Sequence, residues 1–178
     1  MAEGEVTRAA TRLHPSPKPG YAPGMKHLIT LVLLLIASPL LAADPITGRV
    51  VGIADGDTLT VLDTAKTRHK VRLHGIDAPE KAQAFGTKAK EALAALVFQK
   101  DVTVTVVDED RYGRQVGKVM QGGTDVNTAL VRAGYAWRYA TYDKKGEYTA
   151  AQDEAKVARR GLWADPGPTP PWEFRRKK

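Results

Sequence analysis

The stretch that decides the fold is ITGRVVGIADGDTLTVLD, residues 46–63. Two runs of apolar and β-branched residues flank the pair Asp55-Gly56, and an Asp-Gly pair in this setting is a strong local signal for a β-hairpin. The following run, RHKVRLHGI at residues 68–76, alternates between apolar and charged side chains, with Arg72 on the polar side. The sequence therefore predicts three consecutive strands.

The rest of the chain predicts more helix than strand. After the third strand come a helix, a pair of strands and two further helices, at residues 86–100, 101–123, 125–134 and 146–161. Five short antiparallel strands with a helix after the third match an OB-fold. We therefore expect an α+β fold, a five-stranded antiparallel β-barrel of the OB type with about three α-helices. A generic α+β domain is the alternative.

The chain divides into four predicted segments. Residues 25–43 join a lysine, an apolar run too short for a comfortable membrane span, and small residues, which is the pattern of a signal peptide. An uncleaved anchor helix is the alternative. Residues 1–24 precede this signal and are predicted to be a non-native or mis-annotated extension. Residues 44–164 are the predicted globular domain, and residues 165–178 are a Pro-rich basic tail that we expect to be an extended arm. Export to the periplasm or the medium follows from the signal peptide.

Charge and cysteine content narrow the function further. The formal net charge is +7, which attracts polyanions such as nucleic acid or an anionic membrane, although a basic surface without such a role has the same composition. The chain has no cysteine, so disulfides and thiolate metal sites are excluded.

Charged side chains recur at the ends of predicted strands, and one, Arg72, lies within the third strand. They are Asp57, Arg72, Asp77, Glu80 and Arg114. Each has an ordinary explanation as a turn, a helix start or a solvated charge. Together they fit the hydrolysis of a phosphodiester, in which carboxylates hold a hard cation, guanidinium groups bind phosphate and a further carboxylate orients or deprotonates water. Composition and spacing alone support a site for anionic phosphate.

Four motifs in order give a more specific reading: DGDTLTV, VRLHGIDAPE, RYGRQVGKV and VNTALVRAGYAW. Together they resemble the staphylococcal nuclease (thermonuclease) family over residues 46–163. The resemblance implies an OB-fold endonuclease that uses Ca²⁺ to hydrolyse DNA and RNA with little sequence preference and leaves 3′-phosphates.

The resemblance also implies which residues bind the metal. The metal ligands fall on Asp57, Asp77 and the backbone carbonyl of Ala78. The family often has threonine where this chain has Ala78, and a carbonyl ligand tolerates that change. The loop at residues 80–86 is shorter than the lysine-rich loop of the founding member, so the grip on the substrate is expected to differ.

The other implied roles belong to substrate binding and catalysis. They are two phosphate-binding arginines, a general base and two nucleotide-binding tyrosines, which fall on Arg72, Arg114, Glu80, Tyr112 and Tyr142. Expected partners are DNA and RNA substrates, with no stable membrane association after signal cleavage, and the protein is expected to be a monomer.

Two other functions fit the pattern. One is a non-catalytic OB-fold module that binds nucleic acid, and the other is a metal-dependent phosphodiesterase acting on small nucleotides. A degenerate binding module should lack at least one of the five charged groups, and this chain retains all of them.

Overall fold

The computed structural model of the protein describes residues 44–177, and the predicted extension and signal peptide lie outside the described residues. In this part of the chain the strands are β1 (Ile46–Ile53), β2 (Thr58–Asp63), β3 (Arg68–Leu73), β4 (Ile76–Asp77), β5 (Asp101–Glu109), β6 (Gln115–Gln121), β7 (Thr124–Asp125) and β8 (Trp137–Arg138). The helices are α1 (Gly86–Val97), α2 (Val126–Arg132), α3 (Thr149–Val157) and α4 (Pro171–Arg176), with a 3₁₀ turn at Gly161–Ala164. Within residues 44–177, no helix has the length and apolar character needed to cross a membrane.

Strands β3, β2, β1, β5 and β6 form a closed barrel in that order. Neighbouring strands are antiparallel, and the closing pair β3–β6 is parallel, with Arg72 opposite Val116. The predicted OB-fold of the α+β class is confirmed. The barrel is mixed because β3 and β6, which close it, run parallel to each other. Residues 44–177 contain four helices, because α4 adds one to the three that were predicted.

The barrel interior is filled by the apolar face that the alternating pattern predicts. Val71 and Leu73 are buried, while Arg72 between them points to the other side and is only partly buried. Helix α1 covers the barrel with residues spaced four apart along one face, and Ala89, Leu93 and Val97 are fully buried. This packing fixes the ends of β2 and β3, where the candidate site lies.

The expectation that residues 165–178 form an extended arm without regular structure is wrong for Pro171–Arg176, which forms α4. Pro171 occupies the first turn of the helix, where its missing N–H has no intrahelical partner to lose. Its side chain is buried, and the ring of Trp172 stacks on Tyr139 with the planes 3° apart. The prolines therefore lead into a docked helix.

The backbone at Gly134 lies so close to the backbone at Gly161 that position 134 should not tolerate a side chain. Gly134 lies two residues beyond the end of α2 with φ +74, and a Cβ there would lie 2.2 Å from the carbonyl oxygen of Arg160. We expect Gly134→Ala to lower the free energy of unfolding by about 3 kcal/mol, from backbone strain and overpacking together. Gly122 also has positive φ but has open space around a Cβ, so Gly122→Ala should cost only about 1 kcal/mol. If urea denaturation gives the same loss of unfolding free energy for both variants, this prediction is wrong.

Candidate active site

The turn between β1 and β2 positions Asp57. Its backbone N–H donates to Asp55 Oδ1 at 3.1 Å, which closes a tight turn. Gly56 lies so close to α1 that a Cβ would sit 2.7 Å from the Cβ atoms of both Ala78 and Ala89. This close approach brings Asp57 beside the segment after β4, where its Oδ2 accepts from the Ala78 N–H at 3.1 Å.

Arg72 joins the two predicted metal carboxylates. Its Nη1 donates to Asp57 Oδ1 at 3.0 Å and its Nη2 donates to Asp77 Oδ1 at 2.8 Å. Asp57 is 3% exposed and Asp77 is fully buried. The structure thus brings together the two carboxyl groups and one of the two predicted phosphate-binding arginines.

Burial disfavours the charged form of the Asp57 carboxyl group. Burial raises its pKa to about 7, with smaller contributions from Asp55 and Asp77, while Arg72 opposes the rise. Burial also acts to lower the pKa of Arg72, but the attraction of Asp57 and Asp77 outweighs it and raises the pKa above its ordinary value. Arg72 therefore compensates the buried carboxyl group of Asp57 only in part, and a cation beside it would favour the carboxylate form of Asp57.

Arg114 reaches the same site from the turn between β5 and β6. Its Nε donates to Asp110 Oδ2 at 2.7 Å, which fixes the guanidinium. Its Nη1 lies 3.5 Å from Thr58 Oγ1, and that hydroxyl donates to Asp57 Oδ1 at 3.0 Å. Arg114 is therefore linked to Asp57 through a threonine that the sequence reasoning did not single out.

Glu80 lies at the same site and is held by a residue that sequence reasoning missed. Arg175 of α4 donates from Nη1 to Glu80 Oε1 at 2.8 Å, and it also binds both oxygens of Asp77. The signal that points to this residue is weak: Pro171 at a helix start, followed by the apolar Trp172 and then by paired arginines.

Four charged residues of the site, Arg72, Arg114, Arg175 and Glu80, line one open cleft of about 720 Å³. Asp57 and Asp77 are buried behind Arg72, which bonds both. The two predicted tyrosines also line the cleft. Tyr112 is 67% exposed and Tyr142 is 57% exposed, and the guanidinium groups of Arg111 and Arg114 lie over the Tyr112 ring. Exposed aromatic rings beside guanidinium groups suit a chain of bases and phosphates.

The donor set fits a hard divalent cation with few protein ligands. Within residues 44–177, no group of three or more His, Cys, Asp or Glu side chains is placed to hold a metal ion. Asp57 and Asp77 supply carboxylate oxygens at adjacent positions, and Ala78 is buried beside them. A cation here would complete its shell with backbone carbonyl, water or substrate phosphate, as hard cations at phosphate sites do.

Comparisons with known proteins point to one family. The family model described as staphylococcal nuclease homologue matches residues 70–165. An uncharacterized endonuclease of Escherichia coli O157:H7 is 45% identical over 155 residues, covering 86% of this chain and 100% of that protein. An uncharacterized endonuclease of Haemophilus influenzae is 41% identical, covering 85% of each chain. A micrococcal nuclease of Shigella flexneri is 40% identical over 163 residues, covering 85% of this chain and 92% of that protein.

Proposed function

Since the chain belongs to the staphylococcal nuclease family, we propose that it is a calcium-dependent, sequence-nonspecific endonuclease that hydrolyses DNA and RNA to 3′-phosphate products. The observation that carries this proposal is the convergence of five charged side chains from distant parts of the chain on one site. Arg72, Glu80 and Arg114 line one cleft, and the buried Asp57 and Asp77 are bonded to Arg72 in its wall. A binding module has no need of two buried carboxyl groups beside paired guanidinium groups.

Asp57, Asp77 and the carbonyl of Ala78 would hold the cation. When bound, the cation supplies Lewis-acid stabilisation of charge on the phosphate oxygens. Calcium suits this set because it accepts oxygen ligands in flexible geometry and tolerates a shell shared with water and substrate. The raised pKa of Asp57 adds to the argument, since a second positive charge beside Arg72 favours the carboxylate form.

Side chains of the protein bind the phosphate, orient or activate the water and position these groups. Arg72 and Arg114 present planar donors to the non-bridging oxygens of the scissile phosphate, where negative charge grows in the transition state. Glu80 accepts a hydrogen bond from the attacking water, and either removes its proton or fixes its direction. Asp110 and Thr58 hold Arg114 in position, since both contact its guanidinium.

Lack of sequence preference follows from how the cleft is lined. Its charged donors are suited to phosphate, which every nucleotide carries, and Tyr112 and Tyr142 can stack on any base. The formal net charge is +7 for the whole chain and +5 without residues 1–43, so a general attraction for polyanions remains in the exported form. The signal-like residues 25–43 extend the proposal to an exported enzyme that acts in the periplasm or the medium.

The direct test is incubation of the purified protein with plasmid DNA, single-stranded DNA and RNA, with Ca²⁺ or with a chelator. We expect degradation of all three with Ca²⁺ and at least a 100-fold slower reaction with chelator, because charge stabilisation at the phosphate is lost. Labelled oligonucleotides should carry 3′-phosphate ends. Intact nucleic acid in both conditions, with retained binding, would support the non-catalytic module instead, and cleavage in chelator would remove the cation from the proposal.

A further inference from the structure

The C-terminal helix delivers a further guanidinium group, that of Arg175, to the cleft. Arg175 Nη2 donates to Asp77 Oδ2 at 2.8 Å, and its Nη1 donates to Asp77 Oδ1 at 3.2 Å and to Glu80 Oε1 at 2.8 Å. These bonds use three of the five N–H donors of a guanidinium. The side chain is 40% exposed and lines the same cleft as Arg72 and Arg114.

Packing holds the segment that carries Arg175 against the domain. The Trp172 ring is stacked on Tyr139 at a centroid distance of 5.1 Å and meets the edge of Trp137 at 5.6 Å. Upstream, Gln83 Nε2 donates to the carbonyl oxygen of Thr169 at 2.6 Å. Aromatic packing and a hydrogen bond to the loop after Glu80 make the segment a fixed wall of the cleft, so Arg175 is supplied in place.

We propose that Arg175 is a third phosphate-binding residue, which pairs with Asp77 and Glu80 in the cation-free protein and binds a phosphate of the nucleic acid in the loaded cleft. This inference rests on the proposed nuclease function. A guanidinium presents planar paired donors that match phosphate oxygens as well as carboxylate oxygens. Arg72 and Arg114 already line this cleft, and Arg175 lines it beside Glu80, to which it is bonded.

The geometry at Asp77 explains why Arg175 should exchange its carboxylate partners for phosphate when a cation binds. Arg175 takes both oxygens of this buried carboxyl group. A divalent cation that binds Asp77 needs the same lone pairs and repels the guanidinium, so the two positive groups compete. Once displaced, Arg175 stays tethered in the cleft by α4, and the anion that enters with the substrate is phosphate.

Arg175→Gln removes the charge and leaves α4 packed, and Arg176→Gln is the matched control. Arg176 is the next residue of the same helix and lines a different depression, beside Trp172 and Arg138. Ca²⁺ affinity measured by calorimetry without DNA should rise at least about threefold in Arg175→Gln, because the competing partner of Asp77 is gone. Under saturating Ca²⁺, kcat/KM on single-stranded DNA should fall about 10- to 100-fold, the effect of one charge-assisted hydrogen bond. Arg176→Gln should match the wild type in both measurements.

Several results would overturn the inference. Unchanged Ca²⁺ affinity means that the pair with Asp77 does not compete with the cation. Equal or faster cleavage by Arg175→Gln means that Arg175 only blocks the cleft. If the wild type cleaves no nucleic acid with any cation, the proposed function fails. The role of Arg175 can then still be tested through the affinity for a labelled oligonucleotide, measured by fluorescence anisotropy. Loss of about 10-fold in oligonucleotide affinity for Arg175→Gln relative to Arg176→Gln supports phosphate binding, and equal affinity refutes it.

Discussion

Arg114→Ala is expected to lower kcat/KM on single-stranded DNA by about 10²–10³, the usual cost of removing one donor to a charge that develops in the transition state. The effect should appear mainly in kcat, since the guanidinium acts most strongly on the transition-state phosphate. The free energy of unfolding should fall by no more than about 1–2 kcal/mol, because the main structural partner of Arg114 is Asp110 in a pair at the barrel rim. Steady-state kinetics and urea denaturation of the same preparation check both statements.

Arg49→Ala is the matched control for this prediction. Arg49 also pairs with a strand aspartate, Asp101, at 3.2 Å, and the pair is exposed on the outside of the barrel. The variant loses the same charge and a comparable pair without touching the cleft, so its kcat/KM should stay within about twofold of the wild type. If Arg114→Ala keeps more than about a third of wild-type activity while Arg49→Ala is normal, Arg114 does not stabilise the transition state.

Arg72 is a less clean test of the same idea. It bonds both Asp57 and Asp77, and both carboxyl groups are buried. Removing it leaves two buried carboxyl groups with reduced compensation, and breaking a buried pair of this kind typically costs about 3–5 kcal/mol. An Arg72 variant could lose activity either through destabilisation of the fold or through loss of transition-state stabilisation. Arg114→Ala separates the two effects and is the better test.

Local signals in the sequence predicted the strands and turns of the barrel and a site for phosphate, and the family resemblance made both predictions specific. The Asp55-Gly56 turn, the alternation around Arg72 and the Asp125 cap of α2 depend on neighbours within a few residues, and each occurs in the structure. Asp125 accepts from the Thr128 N–H at 2.9 Å, as a helix cap should. Because charged residues at strand ends cannot enter the barrel core, they collect at its rim.

The role of the C-terminal segment could not be predicted in the same way. Its prolines favour extended structure locally, and only contacts with distant residues change that outcome. Trp172 docks on Tyr139 and Trp137, and these contacts place Arg175 beside Glu80, 95 positions away in the chain. Contacts over such a separation have no periodic signature in one sequence. The parallel closure of the barrel by β3 and β6 is non-local for the same reason.

Glu80→Gln is expected to lower kcat by about 10²–10⁴, the range that a positioned general base contributes. The substitution keeps the shape of the side chain, and an amide oxygen can still accept from Arg175 Nη1, which donates to Glu80 Oε1 at 2.8 Å. Folding should therefore be unaffected. Glu91 is an exposed glutamate on α1, and Glu91→Gln is the matched control, expected within about twofold of the wild type.

The pH dependence of Glu80→Gln separates proton removal from positioning of water. Both profiles are measured under saturating Ca²⁺, which keeps the proposed metal ligands Asp57 and Asp77 ionised. A carboxylate that removes a proton works only when ionised, so the wild-type rate should then fall on the acid side of its profile, and the glutamine variant should lose that part of the fall. An amide can still orient water through its oxygen, so a group that only positions water should lose far less than 10²-fold on this substitution. A Glu80→Gln variant within tenfold of the wild type, with the acid-side fall retained, would assign proton removal to another group. Because Arg175 binds the same carboxylate, the double variant Glu80→Gln/Arg175→Gln should lose less than the product of the single losses.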